Sequence, residues 1–125
     1  MGIQNSSERQ FNLDHLYELA DGDQGFVREM IEFYLGQVPG VVQEMGTLRE
    51  SKEWRELGEV AHKAKSSFKF MGMPQLTEDA RNLEEICRQP QPDQETIVAL
   101  VRSIEALTAV SSEELQAELS KFNDQ

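Results

Sequence analysis

The sequence predicts an all-α protein: an antiparallel up-and-down four-helix bundle with a short additional N-terminal helix. Three observations predict this class. Apolar residues recur at spacings of three and four along most of the 125-residue chain, no useful run alternates apolar with polar residues, and the connections are short. Short connections require consecutive helices to run antiparallel. With 38% hydrophobic residues, a single domain of this length folds without a metal or a disulfide.

The first helix is predicted to begin after Asn12. Residues 1–10 are expected to form a disordered tail, and residues 11–121 the bundle domain. The segment Asp-Gly-Asp at 21–23 is predicted to end the short helix and to supply the N-cap of a long second helix. Pro39 and Gly40 predict a kink or a split in that second helix. Its predicted core positions are Phe26, Met30, Phe33, Val41, Met45 and Leu48. A second apolar set is expected to pack against the first helix or, alternatively, to dock a partner: Val27, Ile31, Val38 and Val42.

Capping and helix-breaking residues predict the bounds of the remaining helices. Ser51 is predicted to cap the third helix, Gly72 to end it, and Pro74 to occupy the first turn of the fourth. A Pro-rich linker at 89–92 precedes Asp93, which can cap the last helix. The expected core positions of these helices are Trp54, Leu57, Ala61, Ala64, Phe68 and Met71; then Leu76, Ala80, Leu83 and Cys87; then Ile97, Leu100, Val101, Ile104, Leu107, Leu115 and Leu119.

The charge balance excludes several classes of function. The formal net charge is −11, which argues against nucleic acid and against anionic membrane surfaces as partners. No run approaches 18 apolar residues, and the polar first residues lack the apolar core of a signal peptide, so a cytoplasmic location is expected. The single cysteine excludes an internal disulfide. A single bundle without extra heptads predicts a monomer.

His62 is the candidate functional residue. On a helical wheel it lies roughly 145° from the centre of the apolar stripe of the third helix, so it is expected to face solvent. Gly58 and Ser66, four residues before and after it, are small and are expected to leave the imidazole open to a bulky partner. A histidine in this position is available for chemistry with another molecule.

The surroundings of His62 are basic. Segment 52–69 holds five basic and three acidic residues, for a net charge of +2, whereas the rest of the chain carries −13. No acidic residue occurs from 60 to 77. Arg55, Lys65 and Lys69 lie on the same side of the helix as His62. Such a surface would stabilise a phosphoryl group through charge-assisted hydrogen bonds, although a charge run can also serve solvation alone.

Residues 62–72, His-Lys-Ala-Lys-Ser-Ser-Phe-Lys-Phe-Met-Gly, resemble the signature of histidine-containing phosphotransfer (HPt) domains. That signature has a phosphoacceptor histidine, a lysine three residues later, a small residue next, serine or alanine after it, and glycine ten residues after the histidine. These places are His62, Lys65, Ser66, Ser67 and Gly72. The family most often has glycine where Ser66 stands. The resemblance extends from about residue 11 to residue 119, because helix order and lengths also match.

The resemblance implies a phosphorelay module without autonomous catalytic activity. His62 would accept a phosphoryl group from a receiver-domain aspartate and pass it to another one. The partners would be receiver domains of hybrid histidine kinases, response regulators or both, and the receiver would bring Mg²⁺. The module itself would need no cofactor and no metal. Lys65 and Ser66 would stabilise the phosphate, and Gly58, Lys69 and Arg55 would serve docking. Glu59 is a candidate to orient the other ring nitrogen of His62.

Three other functions fit part of this sequence. A helical adaptor would use the basic face for docking alone and would tolerate His62→Gln. The spacing of Glu59 and His62 matches half of a di-iron site, but the only other histidine, His15, has Asn12 three places before it, so the second half is missing. A Ser66–His62 catalytic pair lacks an assignable carboxylate or oxyanion hole.

Overall fold

A computed structural model describes residues 12–123. This part of the chain forms five α-helices and no strand. The helices are α1 (Leu13–Leu19), α2 (Gln24–Glu50), α3 (Trp54–Phe70), α4 (Pro74–Cys87) and α5 (Gln94–Asn123). The tail predicted at 1–10 lies outside the described residues.

The four long helices form a closed ring of neighbours. Helix α3 packs between α2 and α4, α5 also packs against both α2 and α4, and α1 lies against α2. The connections at 51–53, 71–73 and 88–93 are short, which is consistent with antiparallel neighbours. The predicted all-α bundle with a short N-terminal helix is confirmed. Among the described residues, no helix has the length and apolar character needed to cross a membrane.

Side-chain caps begin the first two helices where the sequence predicts them. The side chain of Asn12 accepts a hydrogen bond from the backbone N–H of Asp14 (3.0 Å), and that of Asp23 accepts one from Phe26 (3.2 Å). Pro74 stands at the start of α4, where its missing N–H costs no hydrogen bond.

The prediction that Ser51 caps α3 is wrong. Ser51 is the C-cap of α2, and its hydroxyl donates to a carboxylate oxygen of Glu53 at 2.7 Å. Helix α3 begins at Trp54, after Glu53, and no side chain caps its first turn. A turn with Lys52 at positive φ separates the two helices, so the candidate cap lies too early in the chain.

Helix α2 differs from its prediction in its buried face. It runs unbroken through Pro39 and Gly40, so of the two predicted outcomes, a kink or a split, the split does not occur. Its buried face is also rotated, because Phe33 is 62% exposed. Instead, Val27, Ile31 and Val38 are buried in the core and Val42 is half-buried. Nearly every residue from 26 to 35 that is not charged is apolar, so the spacing fits more than one face of the helix.

The predicted core faces of α3, α4 and α5 are confirmed. The buried residues in these helices and the turn between α3 and α4 include Leu57, Ala61, Ala64, Phe68, Met71, Leu76, Ala80, Leu83, Cys87, Ile97, Val101, Ile104 and Leu115. Burying this stripe of α3 turns the opposite side of the helix outward. The position of His62 is therefore set by the core.

Gly72 ends α3 and fastens the first helix to it. Its φ of +71° lies in the left-handed region, which glycine adopts without steric cost. A Cβ at this position would lie 2.7 Å from the backbone oxygen of Asn12. The backbone N–H of Asn12 donates to the Gly72 carbonyl at 2.8 Å. The start of α1 is thus held against the turn between α3 and α4.

Candidate functional site

The imidazole of His62 stands on the outer face of α3. Its side chain is 57% exposed, whereas Ala61 beside it is fully buried. The outward orientation predicted from the helical wheel is confirmed. Because one face of the helix is held in the core, the ring has a fixed place on the surface where another molecule can reach it.

A buried carboxylate from α4 holds the ring. Oε2 of Glu84 lies 2.7 Å from Nδ1 of His62, and the Glu84 side chain is only 4% exposed. An ionised carboxylate only accepts hydrogen bonds, so Nδ1 carries the proton and donates. In the neutral ring this leaves the lone pair on Nε2. Nucleophilic chemistry at this ring would therefore use the distal nitrogen.

The expectation that Glu59 orients the ring is wrong. Glu59 is exposed on α3 itself, and the hydrogen bond to Nδ1 comes from Glu84, 22 residues after His62. The sequence does carry a signal for this residue. Glu84 lies four residues after Ala80 and three before Cys87, inside the buried stripe of α4. A carboxylate at such a position is expected to have partners.

Two cations share the same carboxylate. Lys65 Nζ lies 3.0 Å from Oε1 of Glu84, and Arg88 Nη2 lies 2.5 Å from Oε2. The Lys65 side chain is 27% exposed and that of Arg88 is 70% exposed. Glu84 thus neutralises one of two positive charges placed beside His62. Sequence reasoning missed Arg88, although its spacing of four from Glu84 is typical of a helical ion pair.

These contacts determine the ionisation of Glu84. Burial favours the neutral acid, but the hydrogen bonds from Lys65 and His62 and the charges of Lys65 and Arg88 together outweigh it. The pKa of Glu84 is consequently lowered below its ordinary value. The carboxylate therefore stays ionised at neutral pH and remains an acceptor for Nδ1.

Replacing Glu84 with Gln is expected to destabilise the protein by about 1–3 kcal/mol at neutral pH, the range for losing a charged hydrogen-bond partner. Since the pKa of Glu84 is lowered on folding, its stabilisation is present above the ordinary carboxyl pKa and is lost as the pH falls through the folded value. The difference between wild type and Glu84→Gln should therefore shrink in acid. Urea unfolding at several pH values measures it, and a difference that does not change with pH would contradict this account.

Gly58 has a different role from the one expected. It is buried, and a Cβ there would lie 3.2 Å from Cβ of Cys87 and 3.8 Å from the backbone oxygen of Glu84. Its lack of a side chain lets α3 and α4 approach closely beside the site, so it is not an exposed docking residue. Gly58 still lines the groove that holds His62, together with Arg55 and Arg88.

The other expected site residues lie along the outer face of α3. Arg55, Ser66 and Lys69 are exposed, as predicted. Ser66 borders two grooves. One is basic and is lined by His15, Lys65, Lys69 and Arg81, among others. The other is mostly apolar and is lined by Met30, Phe33, Tyr34, Gln37, Ser67, Phe70 and Met71.

Cys87 belongs to the structure of the site and not to its chemistry. Its side chain is buried against Gly58, and burial raises the pKa of the thiol to about 11. A thiol in this state is a poor nucleophile at neutral pH. The prediction that Cys87 is a core residue is confirmed.

The fold and the site define a class of protein: a helical bundle that presents one histidine to solvent and fixes its ring from a neighbouring helix. The family model for the Hpt domain matches residues 29–124, most of the chain, and the chain belongs to this family. Hpt domains are histidine phosphotransfer modules of two-component signalling, and they act as relays. Comparisons with curated proteins and with solved structures returned no significant match.

Proposed function

We propose that His62 carries a phosphoryl group between the aspartates of two receiver domains. The observation that supports this most directly is the hydrogen bond between Nδ1 of His62 and Glu84. It leaves the exposed Nε2 as the free nucleophile on a ring of fixed orientation. Positioning and charge stabilisation are the main requirements of phosphoryl transfer, and both are met around this nitrogen.

The transfer step balances without any further reactant. The Nε2 lone pair attacks phosphorus, the bond between phosphorus and the aspartyl oxygen breaks, and the aspartate leaves as a carboxylate with the bonding electrons. The Nδ1 proton stays on the ring and continues to donate to Glu84. Passing the group to a second receiver aspartate reverses these events. The receiver is expected to bring Mg²⁺.

Lys65 and Ser66 are the residues proposed to stabilise the phosphoryl group. Lys65 places a positive charge one turn after His62, and its contact with Glu84 keeps the lysine on this side of the helix. Ser66 is exposed at the next position and its hydroxyl can donate a hydrogen bond. The groove around His62 is open and lies between exposed side chains. This favours a phosphoryl carrier whose partner supplies the remaining groups for transfer.

The apolar groove beside Ser66 is proposed as the docking surface for the receiver. Phe33 is 62% exposed and Phe70 is 40% exposed, and both line this groove with Met30. Large exposed apolar residues gathered in one place are typical of protein interfaces. The alternative docking patch of Val27, Ile31, Val38 and Val42 cannot bind a partner, because three of these residues are buried and Val42 is half-buried.

The proposal is tested by incubating the full chain with a receiver domain phosphorylated with labelled phosphate. Label should move to this chain in a linkage that acid hydrolyses and alkali does not, as expected for phosphohistidine, and should map to the peptide that contains His62. Stable binding of the receiver without transfer of label would instead support an adaptor. Label in an acid-stable linkage would contradict the proposal.

Replacing Phe33 with Ser is expected to weaken receiver binding by about tenfold or more, since it removes an apolar anchor from the groove. The measurement is the dissociation constant for a receiver domain that exchanges phosphate with this chain. Val110→Ser is the matched control, because Val110 is 49% exposed on α5 and does not line this groove. Equal affinities of the two variants would place docking elsewhere.

A further inference from the structure

We propose that the basic groove between α1, α3 and α4 binds a carboxylate-rich segment of the receiver domain. The inference rests on the proposed function and extends the docking surface from the apolar groove, past Ser66, to the opposite side of α3. His15 of α1 forms one wall of the basic groove, and α1 lies outside residues 29–124, which the family model matches. Membership of the family therefore does not by itself imply this groove.

The residues that line the basic groove carry positive charge and no negative charge. Lys65, Lys69 and Arg81 line it, and none of the residues that form it is Asp or Glu. The whole chain has a formal net charge of −11, so the groove is opposite in sign to the molecule as a whole. Such a surface attracts an acidic partner during approach and repels a basic one.

Two of these three cations are available to a new partner. Lys69 is exposed, and within residues 12–123 its side chain has no hydrogen bond or ion pair. Arg81 is paired with Glu78 and Glu85, but all three side chains are well exposed to solvent. Exposed ion pairs are weak, so carboxylates of a partner can compete for the guanidinium of Arg81. Lys65, in contrast, is held by Glu84 beside His62.

The size and position of the groove favour a segment of the receiver over a free anion. Its volume is about 770 Å³, far more than one phosphate ion fills. Ser66 borders both this groove and the apolar groove, and it lies one helical turn after His62. A receiver that covers His62 and the apolar groove therefore also reaches the basic groove, where acidic side chains would meet Lys69 and Arg81.

The first test measures the dissociation constant of the full chain for a receiver domain that exchanges phosphate with it. Lys69→Glu and Arg81→Glu are each expected to raise this constant about tenfold, because each replaces an attraction by a repulsion. Added salt should weaken binding of the wild type more than binding of either variant, since salt screens the attraction that the variants lack. Both side chains are exposed, so circular dichroism should show an unchanged fold.

Arg102→Glu is the matched control. Arg102 is exposed on α5 and does not line the basic groove, and the substitution makes the same change in net charge. This variant should bind the receiver with the affinity of the wild type. Equal weakening by all three substitutions would attribute the effect to the net charge of the chain and would overturn the proposal.

Carbodiimide cross-linking of the wild-type complex tests the chemistry of the contact. The reagent activates a carboxylate, and an amine in contact with that carboxylate then displaces the activating group and forms an amide. Mass spectrometry of the digested complex should show Lys69 joined to an Asp or Glu of the receiver. Cross-links to the receiver that involve only lysines outside the basic groove would overturn the proposal.

The outcomes separate this inference from the proposed function. If the receiver labels His62 of the wild type, but Lys69→Glu and Arg81→Glu bind it as tightly as the wild type does, the groove is not a docking surface and the proposed function stands. If the two substitutions weaken binding but label never reaches His62, the docking surface stands and the proposed function fails. If the wild type neither binds a receiver nor accepts label from one, both fail.

Discussion

His62→Gln is expected to reduce phosphate incorporation from a labelled receiver domain to background. Glutamine has no nucleophilic ring nitrogen, so no bond to phosphorus can form at this position. The fold should remain intact, because the side chain is 57% exposed and its one described polar contact is with Glu84. We expect the variant to lose about 0.5–1.5 kcal/mol of stability, the typical net worth of one hydrogen bond.

His15→Gln is the matched control for this experiment. His15 is the only other histidine in the chain and is half-buried on α1. This variant should accept phosphate as wild type does. Label that persists in His62→Gln and disappears in His15→Gln would move the acceptor to α1. Label that persists in both variants would show that His62 is not the sole acceptor and would contradict the proposal.

Phe68→Ala is expected to cost about 3–5 kcal/mol of folding stability, the range for removing a large aromatic side chain from a core. Phe68 is 1% exposed, and its ring packs edge-on against Tyr34 with the ring centres 6.4 Å apart. The loss is a large part of the 5–15 kcal/mol that is typical of a whole domain. Urea unfolding followed by circular dichroism gives the change directly.

Phe70→Ala is the control for this second variant. Phe70 stands two residues later on the same helix and is 40% exposed, so its loss should cost less than about 1 kcal/mol. The contrast tests the orientation of α3, on which the position of His62 depends. Similar losses from both variants would show that the helix does not bury the face described above.

The sequence predicted the site helix well because the apolar residues of α3 form one narrow stripe. Leu57, Ala61, Ala64 and Phe68 are all buried, and the outward direction of His62 followed from them. The buried face of α2 was harder to predict. Apolar residues occupy more than one of its faces between 26 and 35, and spacing alone does not decide which face the neighbouring helices cover. For this reason the spacing placed Phe33 in the core, although it is exposed.

The second half of the site could not be predicted, because the register of two packed helices is a tertiary property. Glu84 reaches His62 only because α3 and α4 approach closely at Gly58, where a Cβ would meet Cys87. From the sequence alone, Gly58 is expected to be an opening for a partner, and the hydrogen-bond acceptor of the ring is expected one turn away on the same helix, at Glu59. The burial of Glu84 in α4 could be predicted from the apolar stripe of that helix, but its contact with His62 could not.

The short distance along the chain between His62 and Glu84 has a consequence for dynamics. The two residues are 22 positions apart and belong to consecutive helices joined by a three-residue turn. Contacts of this kind form early and with little loss of chain entropy. Transient detachment of α1, or fraying of the far end of α5, would therefore leave His62 and the carboxylate of Glu84 together. Amide hydrogen exchange should be slower in α3 and α4 than in α1.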